Sequence, residues 1–187
     1  MKRRTLMIAS GFAVAIGAAI MAAAQGVPYP NVADMLYQVM SADREVYTRK
    51  VVQRLTVAEN ILTASEHFED EAALPLPAQM FRFGAETVMD NTETFSYALL
   101  SLNPINRRNG PGTELEREGL EFVAENPGEN FYGEEELGGE RYFAAVYPDR
   151  AIVEACVNCH NNHKDSPRTD LKVGDVMGGV LIRIPID

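Results

Sequence analysis

The chain has 187 residues, of which 46% are hydrophobic and 24% charged, enough apolar material for the core of one ordinary domain. Its formal net charge of −10 gives a surface that repels nucleic acid and anionic lipid, so we expect no nucleic-acid partner. The two cysteines lie in one motif and provide no disulfide framework.

The first 24 residues have the three parts of a secretory signal peptide. A basic start, Met-Lys-Arg-Arg, is followed by an apolar run from Leu6 and by small residues that end at Ala24. We therefore predict a signal peptide over 1–24, cleavage after Ala24, and a periplasmic or secreted domain over 25–187. An N-terminal membrane anchor is the alternative, because the apolar run is nearly long enough to span a bilayer.

The first part of the exported chain predicts helices. Apolar residues at intervals of three, four and seven indicate a long amphipathic helix from Asn31 to about Phe68, with a break near Thr56. In Leu74-Pro75-Leu76-Pro77 the residues before proline are extended. Pro77 can then begin a second helix at its first position.

The second part predicts mainly strands. Thr113 and Glu116 form a capping box that begins a third helix. The acidic, glycine-rich stretch 126–139 is a connection or a hairpin, and a short helix over Ala151–Cys156 precedes the last strand. Three segments rich in β-branched, aromatic and aliphatic residues predict strands: Thr94–Leu102, Arg141–Tyr147 and Val176–Ile186.

This order of elements predicts the fold class. Helices come early and strands late at hairpin-like spacing, which is typical of an α+β fold with an antiparallel sheet, here with a long N-terminal helix and flanking helices. The paired Gly178 and Gly179 in the last strand predict a β-bulge or a close approach of a bound group.

One motif near the C-terminus carries recognisable chemistry. In Cys156-Val157-Asn158-Cys159-His160 two cysteines three apart are followed directly by a histidine, the attachment pattern of a c-type haem. Each thiol can add across a vinyl group of the porphyrin, and the adjacent imidazole then binds the iron as an axial ligand. The motif therefore predicts covalent haem c, with Cys156, Cys159 and His160 as the site.

Two other interpretations of the motif remain open. Cys156, Cys159, His160 and His163 are the ligand types that zinc prefers, although four ligands within eight residues are cramped for a tetrahedral site. A structural or redox disulfide between the two cysteines is the other alternative, and it leaves His160 without a role. Each of these interpretations belongs to an alternative function: a haem-free module that binds a small molecule and carries a zinc or disulfide site at the motif.

The residues around the motif resemble the PAS-like c-type haem domain family (the Tll-like haem domain). The resemblance extends through His163, Asp165-Ser166-Pro167 and Gly174-Asp175-Val176, and more weakly to Leu74-Pro75-Leu76-Pro77 and the loop 103–109. Members occur as secreted single-domain cytochromes and as extracytoplasmic haem sensor domains of bacterial cyclases, kinases and chemoreceptors. The resemblance implies a PAS-like antiparallel sheet with haem at its edge.

Other residues are candidates for the rest of the site. Met80, on the apolar face of the second helix, is our first candidate for the sixth iron ligand, and core packing is the alternative. Met35, Met40 and Tyr47 are further candidates for that ligand. Arg107 and Arg108 are candidates to pair with the haem propionates, because arginine suits carboxylates. His163 is too close along the chain to reach the opposite face of the iron, so we expect it to contact a propionate or a neighbouring loop.

These observations predict an exported, iron-containing c-type haem protein that acts in redox or ligand sensing or in one-electron transfer. Its expected partners are a redox partner or a membrane sensor protein, and a homodimer is a further option. We expect no enzyme activity, because apart from the motif the sequence offers no activated nucleophile pair, phosphate loop or carboxylate dyad.

Overall fold

The long N-terminal helix is the first element of the computed structural model, which describes residues 26–187. The predicted signal peptide and its cleavage point lie outside these residues. Helix α1, Tyr29–Val46, continues directly as a π-helical segment, Tyr47–Ala58. We predicted that the helix resumes after Thr56, and this is wrong. Asn60 takes the left-handed conformation (φ 51°), which commonly ends a helix.

The next segment forms a small parallel pair of strands and a second helix. Strand β1, Thr63–Ser65, pairs with β2, Ala73–Pro75. Helix α2, Pro77–Asn91, begins at the proline as predicted, since the first position of a helix needs no N–H donor. The Gln79 side chain accepts the Leu76 N–H at 2.9 Å and caps its first turn.

The remaining elements build a four-stranded antiparallel sheet with the order β3-β6-β5-β4. Its strands are β3, Ser96–Leu100; β4, Phe131–Leu137; β5, Glu140–Arg150; and β6, Val176–Ile186. Two further helices are α3, Glu114–Glu125, and α4, Glu154–Asn162. The predicted capping box is confirmed at the start of α3, where Glu116 N–H donates to the Thr113 hydroxyl at 3.1 Å.

A two-residue turn joins β4 to β5. Gly138 and Gly139 both have positive φ, 65° and 89°, the combination that suits a tight hairpin between right-handed twisted strands. The acidic stretch 126–139 is therefore largely the first strand and turn of a hairpin, one of the two options that its sequence left open.

The sheet lies between two helical layers. Helices α1 and α2 cover one face and α3 covers the other. The buried residues of the first layer are Ala33, Phe81, Phe143, Ala145, Tyr147, Val180, Ile182 and Ile184. Those of the second are Leu120, Val123, Ala144, Val146 and Leu181. Alternate residues of β5 and β6 enter opposite layers, as strand geometry requires.

The fold class is confirmed as α+β, with an antiparallel sheet, a long N-terminal helix and flanking helices. The predicted helix Ala151–Cys156 is misplaced, because α4 begins at Glu154 and continues through the cysteine motif. Ala151 instead exchanges backbone hydrogen bonds with Asp175 and Gly174, at 2.9 and 2.8 Å. Within 26–187 no helix has both the length and the hydropathy to cross a bilayer.

The glycine pair in β6 has a packing role. A Cβ at Gly178 would collide with the carbonyl oxygen of Leu100 in β3, and one at Gly179 would meet Val146 Cγ1 at 2.7 Å. The register of β5 against β6 shifts between Asp149 and Arg150, opposite this pair. The glycine pair therefore accompanies a β-bulge, as one of the two interpretations predicted. Neighbouring protein atoms fill the space beside these glycines, where the other interpretation placed a bound group.

Candidate functional site

Helix α4 presents the cysteine motif. Cys156, Cys159 and His160 stand at positions i, i+3 and i+4 and therefore share one helical face. The extended Val153 precedes the helix and has no side-chain acceptor for its free N–H groups. Gln53 of the π-helical segment supplies one, since its Oε1 accepts the Ala155 N–H at 3.0 Å. This contact fixes the start of α4 against the N-terminal helix.

Both thiols are free. Cys156 is half-buried and Cys159 lies at the surface, and no disulfide joins them. Partial burial of the Cys159 thiol, with Cys156 and Glu66 acting in the same direction, raises its pKa. Both cysteines are thus available for covalent attachment. Among residues 26–187 no group of three or more His, Cys, Asp or Glu is arranged to hold a metal ion, so the zinc alternative gains no support.

The His160 imidazole is held in its neutral form. Burial lowers its pKa, Asp149 opposes this, and the charges of Arg44 and His163 lower it further. A neutral imidazole is the form that binds a metal through its ring nitrogen. His160 is therefore suited to be an iron ligand at neutral pH without first losing a proton.

A cavity of about 780 Å³ opens beside the C-terminal end of α4, a volume within the range of cofactor pockets. Its walls are the loop 104–108, the segment 163–167 and Glu66. Three residues predicted from the sequence, Arg107, Arg108 and His163, line this cavity together. The two arginines are exposed on a short 3₁₀ turn, Arg107–Asn109, and add positive charge to the wall.

His163 ends α4 and contacts the neighbouring loops. Its Nδ1 accepts the Asp165 N–H at 3.2 Å, so the ring carries its proton on Nε2. That atom lies 3.9 Å from a carboxylate oxygen of Glu66 in the loop between β1 and β2. This contact with a neighbouring loop is one of the two that the sequence suggested for His163, and the contact with a propionate stays a prediction.

The candidates for the sixth iron ligand are scattered. Met80 is half-buried in the first turn of α2 but does not line the cavity. Met35 is 56% exposed, and Met40 packs against the core of the α1 layer. The Tyr47 hydroxyl donates to the Pro75 carbonyl at 2.7 Å. The structure brings none of the four to the cavity, so the assignment of Met80 stays a prediction.

Three polar groups near α4 were missed by sequence reasoning. Gln53 holds its start, and Asn161 holds its end by a double hydrogen bond with the backbone of Leu171, at 2.9 and 3.0 Å. Arg44 of α1 forms a buried ion pair with Asp149, the residue just before the end of β5. Only Asn161 had a signal in the sequence, its position next to the motif, because the other contacts join distant segments.

The Arg44–Asp149 pair lies within electrostatic reach of the motif. Burial opposes the charge of Arg44, but the neighbouring Asp149 more than offsets this, and Cys156 contributes in the same direction, so the pKa of the guanidinium is raised. Arg44 therefore stays charged beside the helix that carries the cysteines.

Comparisons with known proteins identify one family. The sequence profile of the Tll0287-like family, described as Tll0287, matches residues 29–185. No curated protein matches the chain. Among solved structures, the crystal structure of the cyanobacterial haem protein Tll0287 is similar, at 16% identity and a TM-score of 0.48, over 82% of this chain and 96% of that one. The profile match spans nearly all of the described residues.

Proposed function

The chain belongs to the Tll0287-like family, and we propose that it is an exported c-type haem protein. Cys156 and Cys159 would hold the porphyrin through thioether bonds, and His160 would bind the iron. The observation that carries the proposal is the arrangement of two free thiols and a neutral imidazole on one face of α4. The name of the similar cyanobacterial protein, a haem protein, points the same way.

The donor set fits this cofactor. Covalent attachment needs two thiols that a single turn of chain presents together, and the i, i+3 spacing on α4 supplies them. The nearby cavity of about 780 Å³ has room for part of a porphyrin. When bound, haem supplies one-electron redox chemistry and, where an axial position is open, binding of small gases.

The chain's own residues orient this group. Gln53 and Asn161 hold the two ends of α4 and so fix the direction of His160. Arg107 and Arg108 are proposed to pair with a propionate at the cavity, where their charge favours a carboxylate. Met80, half-buried in the first turn of α2, remains the proposed sixth ligand.

The biological role is redox or ligand sensing or one-electron transfer, with a redox partner or a membrane sensor protein as the partner. We propose export because residues 1–24 have the signal-peptide pattern, and covalent haem attachment in bacteria takes place outside the cytoplasm. N-terminal sequencing of the protein recovered from the periplasm tests this: a mature N-terminus at Gln25 supports cleavage, and an intact Met1 supports the membrane-anchored alternative.

The direct test is expression in a host that matures c-type cytochromes, followed by a denaturing gel stained for covalent haem. We expect stain in the wild type, reduced stain in Cys156→Ala and Cys159→Ala, and none in the double variant. The variant of the proposed iron ligand, His160→Ala, has His67→Ala as its matched control. Because His67 is 68% exposed in a surface turn, this control should leave the haem stain unchanged. A haem-free wild type beside a matured control cytochrome would refute the proposal and return the zinc and disulfide alternatives.

The response of the reduced protein to carbon monoxide separates the two roles. A Soret band that shifts readily indicates an open or labile axial position and favours ligand sensing. A low-spin spectrum that ignores carbon monoxide indicates a firm sixth ligand and favours electron transfer. If Met80 is that ligand, Met80→Ala makes the iron reactive towards carbon monoxide, whereas the exposed Met35→Ala leaves the spectrum unchanged.

A further inference from the structure

A buried arginine beside the motif is only partly satisfied. The Arg44 side chain is 15% exposed. Its two terminal nitrogens both bond the carboxylate of Asp149, Nη1 to Oδ1 and Nη2 to Oδ2, the latter at 3.2 Å. The guanidinium lies over the ring of Phe81, with Cζ 5.7 Å from the centroid. The remaining donor, Nε, is buried and has no hydrogen-bond partner among the residues that the structure describes.

A second buried arginine in the same protein shows what Arg44 lacks. The Arg183 side chain is 16% exposed, almost the same as Arg44. Its Nε donates to Glu135 at 2.7 Å, and its Nη2 donates to Glu116 at 2.6 Å. Arg183 thus holds two carboxylates, one of them on Nε, whereas Arg44 holds one and leaves Nε free.

Buried donors without partners are rare in folded proteins, and each one calls for an explanation, such as an acceptor supplied by a bound group or a water molecule. The fork of a guanidinium matches carboxylate oxygens in geometry and charge. Because Arg183 uses Nε for a second carboxylate at the same degree of burial, the unused Nε–H of Arg44 indicates a second acceptor of the same class.

The neighbourhood of Arg44 indicates where this acceptor comes from. Gln53, on the π-helical continuation of the helix that carries Arg44, accepts the Ala155 N–H at the start of α4. Asp149, the partner of Arg44, lies on the strand that leads into Val153, the N-cap of α4. Arg44 therefore lies at the junction of α1, β5 and α4, where a group bonded to the cysteines would be held. A haem bonded there brings two carboxylates, its propionates. We propose that the buried Nε–H of Arg44 donates to a propionate of the bound haem, forming an Asp149–Arg44–propionate triad.

This inference rests on the proposed function and deepens it. Asp149 immediately precedes the last residue of β5, and Arg44 lies two residues before the end of α1. The triad therefore ties the bound group to the sheet and to the N-terminal helix at once. The second propionate is left for Arg107 and Arg108 in the cavity wall, so the two assignments are compatible.

The test uses the haem-loaded protein and the variant Arg44→Lys, which keeps a positive charge for Asp149 but removes the Nε–H donor. Resonance Raman spectroscopy follows the propionate bending modes, whose frequency falls when a propionate loses a hydrogen bond. We expect one such mode to fall in Arg44→Lys. Arg150→Lys is the matched control, because Arg150 directly follows Asp149 on β5 but donates to the Gly174 carbonyl at 2.8 Å. This variant should leave the propionate modes unchanged.

The outcomes distinguish this inference from the proposed function. Covalent haem with propionate modes that are the same in wild type and Arg44→Lys would overturn the triad while the haem proposal stands. If no covalent haem forms, the proposed function and the propionate triad both fail. The haem-free protein is then heated in sodium acetate and in sodium chloride at equal ionic strength to test whether Nε binds a carboxylate at all. A higher melting temperature in acetate that Arg44→Lys abolishes supports a carboxylate site at Nε, and equal melting temperatures in the two salts overturn it.

Discussion

Replacing Gln53 with alanine tests the contact that fixes the helix carrying Cys156, Cys159 and His160. The variant removes the Oε1 that accepts the Ala155 N–H at 3.0 Å, and Val153 at the N-cap offers no substitute. A helix-capping hydrogen bond contributes about 0.5–2 kcal/mol, and a typical net hydrogen bond about 0.5–1.5 kcal/mol.

We expect the loss to lie near the middle of that range. Ala155 is only half-buried, so water can partly replace the lost acceptor. The expected decrease in the free energy of unfolding is therefore about 1 kcal/mol, which corresponds to a melting temperature lower by about 2–4 °C for a protein of this size.

Urea denaturation and native-state hydrogen exchange measure the effect globally and locally. The amide of Ala155 should exchange faster in Gln53→Ala, together with its neighbours in the first turn of α4. Gln38→Ala is the control, because Gln38 is an exposed residue of α1. If the two variants have the same stability and the Ala155 amide is equally protected in both, Gln53 does not hold α4 and the argument fails.

Three further predictions concern the scaffold of the site. Glu116→Ala should lower the free energy of unfolding by about 1.5–3 kcal/mol, because the buried Arg183 loses one of its two carboxylate partners, at 2.6 Å, and keeps only Glu135; urea denaturation measures this. Gly119→Ala should cost about 1–3 kcal/mol, since the new Cβ would lie 2.6 Å from Val146 Cγ2; the same assay applies. The pKa of Tyr147 is raised, chiefly by burial and then by Asp34. The stability that this residue contributes is therefore fully present below the ordinary tyrosine pKa of 10.0 and decreases as the pH rises above it. Tyr147→Phe should flatten this alkaline decline in thermal melts.

Each of these predictions has a control in the same chain. Glu118→Ala, an exposed neighbour on α3, should change stability by less than about 0.5 kcal/mol. Gly128→Ala adds a Cβ with no heavy atom within 4 Å and should be nearly neutral. Tyr29→Phe is the control for the alkaline scan, because Tyr29 is 42% exposed. The first two predictions are contradicted if the stability losses are equal in Glu116→Ala and Glu118→Ala, or in Gly119→Ala and Gly128→Ala. The third is contradicted if the alkaline decline in stability is undiminished in Tyr147→Phe.

Local signals in the sequence predicted much of the fold. The capping box at Thr113, the helix start at Pro77 and the bounds of the last strand, Val176–Ile186, are all as expected. These features depend on interactions within a few residues of chain, which sequence patterns report directly. The predicted end of the first helix was wrong, because Asn60 adopts a backbone conformation that the neighbouring sequence does not predict.

The position of α4 shows where local signals fail. Val153 and Ala151 belong to extended segments, and the helix begins only where Gln53, 102 residues earlier, accepts the Ala155 N–H. A pattern within 151–162 contains no information about that acceptor. The same reason explains why the Arg44–Asp149 pair, which joins residues 105 apart, was not predicted.

The sequence alone predicted the chemistry that we propose for this protein, because the spacing of Cys156, Cys159 and His160 is a local property of the chain. It also indicated the α+β class, since the periods of apolar residues report which faces are buried. Only the tertiary structure decided which groups lie near that motif: Arg107, Arg108 and His163 share one cavity wall, and the buried Nε–H of Arg44 has no partner within residues 26–187. Such groups meet through the packing of distant segments, and burial, which makes an unpaired donor unfavourable, exists only once the chain has folded.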